Sequence, residues 1–285
     1  MTEERSGFRE FYASLSGFDT KVKTVEQFIR AVDNAYGILC DVISDENIKY
    51  SQKLWFRGLR AYDYPLIPSI GRGELNVEYE PVFLSKFKSR AMLYMDQIPF
   101  KPVTEGNGSY WEWLFLMHHY GVPSRLMNWT EDALVALIFA VDPDASDEEK
   151  AKDAAVWCLN PVMLNTTFNF HEYYPSGYIP NVREKGVYEL FGPNKGNLRN
   201  TRPAAVYGPI NTPRIIMQRS TYTVFPYTVP LSDMRDLPDS RKYLYRITID
   251  KESREYIIDQ LRRYGITKEK LIPDLETLAR EIFQE

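Results

Sequence analysis

Apolar residues recur three or four positions apart in several stretches of the chain, which is the spacing of one helical face. This periodicity predicts helices over residues 24–43, 77–97, 109–120, 131–141, 252–264 and 273–283. Thr24 with Gln27, and Ser109 with Glu112, have the spacing of a reciprocal helix cap, so they mark the starts of two helices. Gly121 marks a helix end, because glycine adopts the backbone conformation that closes a helix.

Shorter apolar runs, several of them bounded by glycine or proline, predict strands. The runs cover residues 53–59, 124–129, 154–159 and 242–249, and residues 214–225 predict two strands around a tight turn at Arg219 and Ser220. Helices and strands alternate irregularly, with few strand–helix–strand units of regular length. The pattern therefore predicts an α+β fold, with a mixed, mostly antiparallel sheet core flanked by helices.

The length of 285 residues suits one large domain with an extension. We expect residues 1–48 to form an N-terminal helical extension that packs on a main domain of residues 49–285. Residues 160–212 are rich in proline, glycine and tyrosine and show no clear periodicity. A stretch of that length without regular structure predicts a functional loop or lid.

Composition and charge narrow the classes of function. Non-specific binding to duplex nucleic acid requires a basic face, and a net charge of −4 gives no sign of one. The sequence leaves open whether the protein has a smaller, local basic groove. The two cysteines lie in apolar runs, and the chain has no C-x-x-C motif, so we expect reduced thiols and no metal site. The N-terminus lacks an apolar signal core, and the longest apolar run, residues 133–141, is too short to span a bilayer. We expect a cytoplasmic protein without a membrane partner.

The first place to look for chemistry is a polar centre inside the apolar stretch of residues 110–141. Buried polar groups need partners, and such conflicts concentrate at functional sites. His118 and His119 fall in the last turn of a predicted helix, where the helix dipole favours imidazolium modestly. Pro123 then predicts an extended entry into a strand, and Thr130 is placed to cap the next helix.

Each charged candidate has a structural alternative that the sequence leaves open. Arg57 lies at the end of a predicted strand before Gly58, which allows another group to approach the backbone closely. Arg57 and Arg125 could hold a phosphate as planar forks, or each could pair with a buried acid. His119 could act as a general acid or base, or bond a backbone carbonyl.

The remaining candidates would contact a ligand. Tyr120 and Trp129 could stack on a flat ring, or they could be core aromatics. Ser124 and Asn128 could hydrogen-bond the ligand beside Arg125, whereas Thr130 most simply caps its helix.

Several short motifs occur in a characteristic order. They are Phe56-Arg57-Gly58, Leu66-Ile67-Pro68-Ser69 with Arg72, His119-Tyr120-Gly121-Val122-Pro123-Ser124-Arg125-Leu126 followed by Trp129-Thr130, and Arg214 with Gln218. In this order they closely resemble the FRG domain family, which is named for its Phe-Arg-Gly motif. The resemblance extends over roughly residues 50–285 and identifies residues 49–285 as an FRG domain.

The chain departs from that family's usual pattern at three positions. His118 stands where the family commonly has Gln, Ser124 stands where it has Thr, and Asn128 stands where it has Asp. If the Asp serves as a base in relatives, Asn128 puts that role in doubt for this chain.

A second resemblance concerns the order of elements. An aromatic-Arg-Gly strand, a strand ending in Thr and a late Arg-Ser-Thr-aromatic turn are similar to the layout of Arg-Ser-Glu ADP-ribosyltransferases. This similarity implies NAD as a substrate, with Arg57 clamping its pyrophosphate or ribose. Thr130, with Trp129 beside it, would lie at the Ser-Thr-Ser strand, and residues 214–218 would belong to the strand that normally bears the catalytic Glu.

The segment that corresponds to the catalytic strand of those enzymes has no carboxylate between Arg214 and Tyr222. The reaction needs an anionic or strongly polar group to orient the ribose hydroxyl and stabilise an oxocarbenium-like centre. Gln218 would take part, or Glu131, Glu112 or Glu189 would supply the charge.

The resemblances together imply an NAD-consuming ADP-ribosyltransferase-like enzyme. The implied setting is a bacterial toxin or phage-defence effector that modifies nucleic acid or protein, with an antitoxin-type protein as a partner. Two alternatives stay open: a module that binds a nucleotide or phosphate ligand without turnover, which the missing Glu favours, and a structural partner-binding domain.

Overall fold

A computed structural model describes residues 19–40, 53–98, 101–103, 106–167, 174, 177–193, 202–227, 230–272, 279 and 282. The chain forms two compact units. Unit 1 comprises Met1–Tyr64, Asp132–Asn160 and Asp239–Thr267, and unit 2 comprises Pro65–Glu131, Pro161–Pro238 and Lys268–Glu285. The predicted boundary after residue 48 and most of the helix predicted over residues 273–283 lie outside the described residues.

The described residues of unit 1 form four strands in the order β1, β7, β4, β2. They are β1 (Asp19–Val22), β2 (Trp55–Leu59), β4 (Ala154–Leu159) and β7 (Leu244–Ile249). β1 runs parallel to β7, whereas the β7–β4 and β4–β2 pairs are antiparallel. All six residues of β4 are buried, as its uninterrupted apolar run predicts for a central strand.

Unit 1 also contains helices, and the two that begin at Val25 and Ala133 pack on this sheet through buried apolar residues. The helices are α1 (Val25–Cys40), α4 (Ala133–Ala140), α5 (Asp147–Lys150) and α9 (Arg254–Arg263). The predicted start of α1 is confirmed, because the Thr24 hydroxyl accepts a hydrogen bond from the Gln27 amide at 3.1 Å. Helix α4 packs directly against β2. A Cβ atom on Gly58 would lie 2.0 Å from the Ala136 carbonyl oxygen, so this approach requires glycine.

Unit 2 contains three antiparallel strands in the order β3, β6, β5. They are β3 (Leu126–Thr130), β5 (Ala204–Val206) and β6 (Ser220–Val224). Its helices are α2 (Glu80–Ala91), α3 (Asn107–His119), α6 (Pro161–Thr167), α7 (Lys185–Phe191), α8 (Pro213–Met217) and α10 (Lys268–Leu271). The amide side chain of Asn165 bonds both the N–H and the carbonyl of Ala205, which satisfies strand β5 in the way a neighbouring strand would.

The predicted fold class is confirmed. Helices and strands are intermixed, and among the strand pairs with assigned register only β1 and β7 are parallel. The strand predicted over 154–159 is present with the same bounds as β4, and those predicted over 53–59 and 242–249 are present with shorter bounds as β2 and β7. Gly121 and Gly265 have φ values of +82° and +70° and close α3 and α9, as glycine after a helix predicts.

Three local predictions are wrong. Residues 77–97 form a 3-10 turn, helix α2 and a second 3-10 helix (Met92–Gln97), so they are not one continuous helix. Residues 214–225 form helix α8 and one strand, not two strands, because Pro213 favours the first turn of a helix. Ser109 does not cap α3, whose N-cap is Gly106, and so Ser109 lies inside the first turn.

Candidate functional site

The end of helix α3 positions the two histidines. The Gly121 amide donates to the His118 carbonyl at 3.0 Å, and the Val122 amide donates to the Met117 carbonyl at 3.2 Å. These two bonds form a Schellman closure, which satisfies the last carbonyls and turns the chain toward β3. Consecutive residues of a helix lie roughly 100° apart around its axis, so the two histidine side chains find different partners.

His118 forms the middle of a three-residue hydrogen-bonded chain. Its Nδ1 lies 2.8 Å from the Ser124 hydroxyl, and its Nε2 contacts the Asn128 Oδ1 atom. An amide oxygen only accepts, so Nε2 carries a proton and donates it to Asn128. Ser124 is fully buried, so the three hydrogen-bonded side chains favour a structural role for this serine over a role as a nucleophile.

His119 faces a different environment. Its Nε2 lies 3.1 Å from the Thr212 hydroxyl. Burial, together with the nearby charges of Arg214 and His118, lowers the pKa of His119 from 6.5 to about 4. The ring is therefore neutral at pH 7, against the expectation that the helix end favours imidazolium. Desolvation outweighs the modest effect of the dipole here.

Arg125 is completely buried and bound on every nitrogen. Its Nε donates to Glu80 at 2.8 Å, its Nη1 to the Phe225 carbonyl at 3.0 Å, and its Nη2 to the Tyr110 hydroxyl at 3.0 Å and to the Phe191 carbonyl. The Tyr227 ring lies 4.0 Å from the guanidinium carbon. This arrangement favours the structural alternative for Arg125, in which it pairs with a buried acid.

The side chains of β3 serve mainly to hold the sheet. Trp129 is 2% exposed and donates its indole N–H to the Thr223 hydroxyl at 3.1 Å, which favours its role as a core aromatic. The prediction that Thr130 caps α4 is wrong, because its hydroxyl donates to the Gln218 carbonyl at 2.6 Å. The cap of α4 is Asp132, whose carboxylate accepts from the Leu134 and Val135 amides.

Glu131 stands at the end of β3, beside the start of β6. Its carboxylate accepts from the Tyr207 hydroxyl at 3.2 Å and lies 3.3 Å from Nη2 of Arg219. Its amide donates to the Arg219 carbonyl at 3.1 Å, and the next ladder pair is Thr130 with Ser220. Burial and the charge of Glu131 together raise the pKa of Tyr207 to about 12. Glu131 therefore brings a carboxylate to the strand that has none of its own.

The other candidates for the acidic role lie elsewhere. Gln218 is buried and donates its side-chain amide to the Leu271 carbonyl at 3.0 Å. Glu112 is buried and accepts from the Val103 amide and from Arg183. Glu189 lies on α7 in an ion pair with Lys185 at 3.6 Å. Of the three candidate acids, Glu131 is the one for which hydrogen bonds to Arg219, directly before β6, are described.

Arg57 and Gly58 belong to unit 1, unlike the other candidates. Arg57 is partly buried in β2, where it pairs with Trp157 across the β2–β4 ladder. Gly58 has a packing role, because its missing side chain lets α4 approach β2. The predicted contact of Arg57 with an NAD phosphate stays a prediction.

Unit 2 also contains an aromatic cavity of about 460 Å³ that the sequence did not suggest. The residues that define this aromatic cavity are Phe83, Lys86, Phe87, Arg90, Tyr94 and Tyr120. Phe83, Phe87, Ala91 and Tyr94 recur three or four positions apart, and this apolar stripe faces the cavity. Its signal in the sequence was the combination of that stripe with Lys86 and Arg90, four residues apart on the same side of the helix.

The described residues contain no group of three or more His, Cys, Asp or Glu side chains arranged to hold a metal ion. Among the helices of the described part of the chain, none combines the length and the hydropathy needed to cross a membrane. The predictions of no metal and of a cytoplasmic location stay predictions.

Comparisons with known proteins point to one family. No curated protein matches the chain, and no solved structure matches it. The family model described as FRG domain matches residues 52–149. This segment includes Phe56-Arg57-Gly58 and the motif from His119 to Thr130, whereas the predicted continuation of the resemblance to residue 285 stays a prediction. Over residues 52–149 the chain is thus similar to the FRG domain family.

Proposed function

We propose that the chain is an NAD-consuming enzyme of the ADP-ribosyltransferase type in which Glu131 supplies the catalytic carboxylate. The observation that carries this proposal is the position of Glu131, bonded through both backbone and side chain to Arg219 at the start of β6. The late strand of this chain has no acid, and the neighbouring strand places one beside it.

In this mechanism the C–N bond between ribose and nicotinamide breaks, and nicotinamide leaves with the electron pair. The Glu131 carboxylate orients the ribose hydroxyl and stabilises the oxocarbenium-like centre, a role for which a partly buried anion is suited. An acceptor oxygen or nitrogen then forms the new bond to ribose and loses its proton.

The test is incubation of the purified chain with labelled NAD and with total RNA, DNA or protein as acceptor. We expect nicotinamide release and transfer of label to one acceptor class. Glu131→Gln should lower the rate roughly a hundredfold, as the loss of one transition-state contact does in other enzymes. Glu26→Gln is the matched control, because Glu26 is an exposed partner of Arg30 on α1. Equal rates for the two variants contradict the role of Glu131.

The second candidate is a module that binds a nucleotide ligand without turnover. Two observations favour it: the carboxylate of Glu131 is already paired with Arg219, and His119 is neutral and bonded to Thr212. Stabilisation by NAD in thermal unfolding, without release of nicotinamide, supports this candidate against the first. Absence of NAD binding in calorimetry at millimolar ligand contradicts the first candidate. The acceptor class, an antitoxin-type partner and a cytoplasmic setting are parts of the first proposal.

A further inference from the structure

The aromatic cavity lies along one continuous side of α2 and the 3-10 helix that follows it. Phe83 and Phe87 are one helical turn apart, and Tyr94 extends the same side two turns later. Tyr120, at the end of α3, forms the opposite wall, with its ring 6.4 Å from that of Phe87. Tyr94 and Tyr120 remain 56% and 58% exposed, so the rings have free faces.

The size of the aromatic cavity suits a small molecule. Its volume of about 460 Å³ falls within the range of roughly 300–1,000 Å³ that is usual for small-ligand sites. Aromatic side chains stack on flat rings through offset or edge contacts. The walls therefore favour a ligand with a flat ring.

Two cations stand at the same cavity. Lys86 and Arg90 are exposed and four residues apart on α2, a spacing at which like charges repel modestly. Within the described part of the chain, no carboxylate forms an ion pair with either side chain. An anionic group in the cavity would relieve the repulsion and give both cations a partner.

We propose that the aromatic cavity binds a small ligand that combines a flat aromatic ring with an anionic group. The ring lies between the side chains of α2 and Tyr120, and the anion is held by Lys86 and Arg90. This inference does not rest on the proposed NAD chemistry, because Glu131 takes no part in it. The sequence left open whether Tyr120 stacks on a flat ring or is a core aromatic, and here it is a wall of the cavity.

The experiment uses two fluorescent probes with the full chain. 8-Anilinonaphthalene-1-sulfonate (ANS) carries an anion, and N-phenyl-1-naphthylamine has the same ring system without a charge. We expect Lys86→Gln/Arg90→Gln to weaken ANS binding about fivefold or more, since two charge contacts are lost. Binding of the uncharged probe should change less than twofold. Both substitutions are on exposed positions, so folding is preserved.

A matched double variant shows whether the effect belongs to the cavity. Lys185→Gln/Arg263→Gln removes one lysine and one arginine with exposed side chains elsewhere, and it should leave ANS binding unchanged. Tyr94→Ser should weaken both probes, because it removes a ring from the wall. Equal loss of ANS binding in the two double variants, or equal loss of both probes in the cavity variant, overturns the proposal.

The nature of the anion is settled by displacement of ANS. Adenosine monophosphate tests a phosphate on a flat ring, and naphthalene-2-carboxylate tests a carboxylate. Displacement by either one supports the site and identifies its anion, whereas failure of both at millimolar concentration contradicts it. Glu131→Gln should not alter ANS affinity, so the outcome of this experiment is separate from that of the NAD assay.

Discussion

The three positions at which this chain differs from the usual FRG pattern contact one another. His118, Ser124 and Asn128 form one hydrogen-bonded chain from the end of α3 to the middle of β3. A Gln and an Asp in place of His118 and Asn128 would form a different polar pair with different lengths and charge. We therefore expect the three differences that the resemblance implies to be coupled, so that Asn128 need not mark a lost catalytic base.

This coupling predicts non-additive effects on stability. His118→Gln and Asn128→Asp alone should each destabilise the fold, because glutamine does not reproduce both bonds of the His118 ring and aspartate brings a charge into a partly buried position. The double variant should recover part of the loss, with a coupling free energy of roughly 0.5–3 kcal/mol. Urea unfolding of the wild type, both single variants and the double variant measures this term. Strict additivity contradicts the coupled interpretation.

Arg125 shows where residue-level prediction stops. The sequence identified it as a notable cation, and it left open whether a ligand or a buried acid is its partner. The partner is Glu80, 45 positions earlier in the chain, and no local pattern connects the two. Glu80 also accepts from the Tyr110 and Tyr227 hydroxyls, a convergence that only tertiary packing creates.

At the scale of elements, the Phe-Arg-Gly motif is where β2 meets α4. Gly58 lies under the Ala136 carbonyl, and a Cβ atom would also come within 2.7 Å of the Ala140 amide nitrogen. Both neighbours are backbone atoms of a helix, so they cannot move aside as a flexible side chain can. The glycine of the motif therefore has a packing role that does not depend on any ligand.

Gly58→Ala should consequently destabilise the fold by roughly 3 kcal/mol, the upper part of the range for overpacking. Gly108→Ala is the control, because Gly108 lies in α3 with open space around it, and alanine there should be neutral or stabilise by up to about 1 kcal/mol. Urea midpoints of both variants give the comparison. A stable Gly58→Ala variant contradicts the contact between β2 and α4.

Elements with a clear period or a buried run were predicted correctly, and those decided by tertiary contacts were not. The apolar run of β4 and the glycine closure of α3 are local signals, and both are present in the structure. The prediction of two strands over residues 214–225 was wrong because the apolar run Ile215, Ile216 and Met217 is compatible with a strand or a helix. The helix forms after Pro213, and Arg219, with φ of +46°, turns the chain into β6.

At the scale of the whole molecule, acid stability combines groups that titrate in different ranges. In unit 1, the hydrogen bond from Lys21 lowers the pKa of Asp250 below its ordinary 3.8. The stability from this carboxylate is present above that ordinary value and is lost as pH falls through the lower folded value. In unit 2, His119 titrates at about 4 in the folded chain and at 6.5 in its ordinary state. Between these two values the unfolded chain binds a proton that the folded chain does not.

Stability should therefore fall as the pH drops from about 6.5 toward 4, before the contribution of Asp250 is lost. His119→Gln should remove this part of the pH dependence, because glutamine does not titrate and can still bond the Thr212 hydroxyl. Urea unfolding between pH 4.5 and 7.5 should give a flatter profile for the variant than for the wild type. Parallel profiles of stability against pH for the variant and the wild type would contradict this prediction. They would mean that His119 has the same pKa in the folded and unfolded chains, so that burial and Arg214 do not lower it.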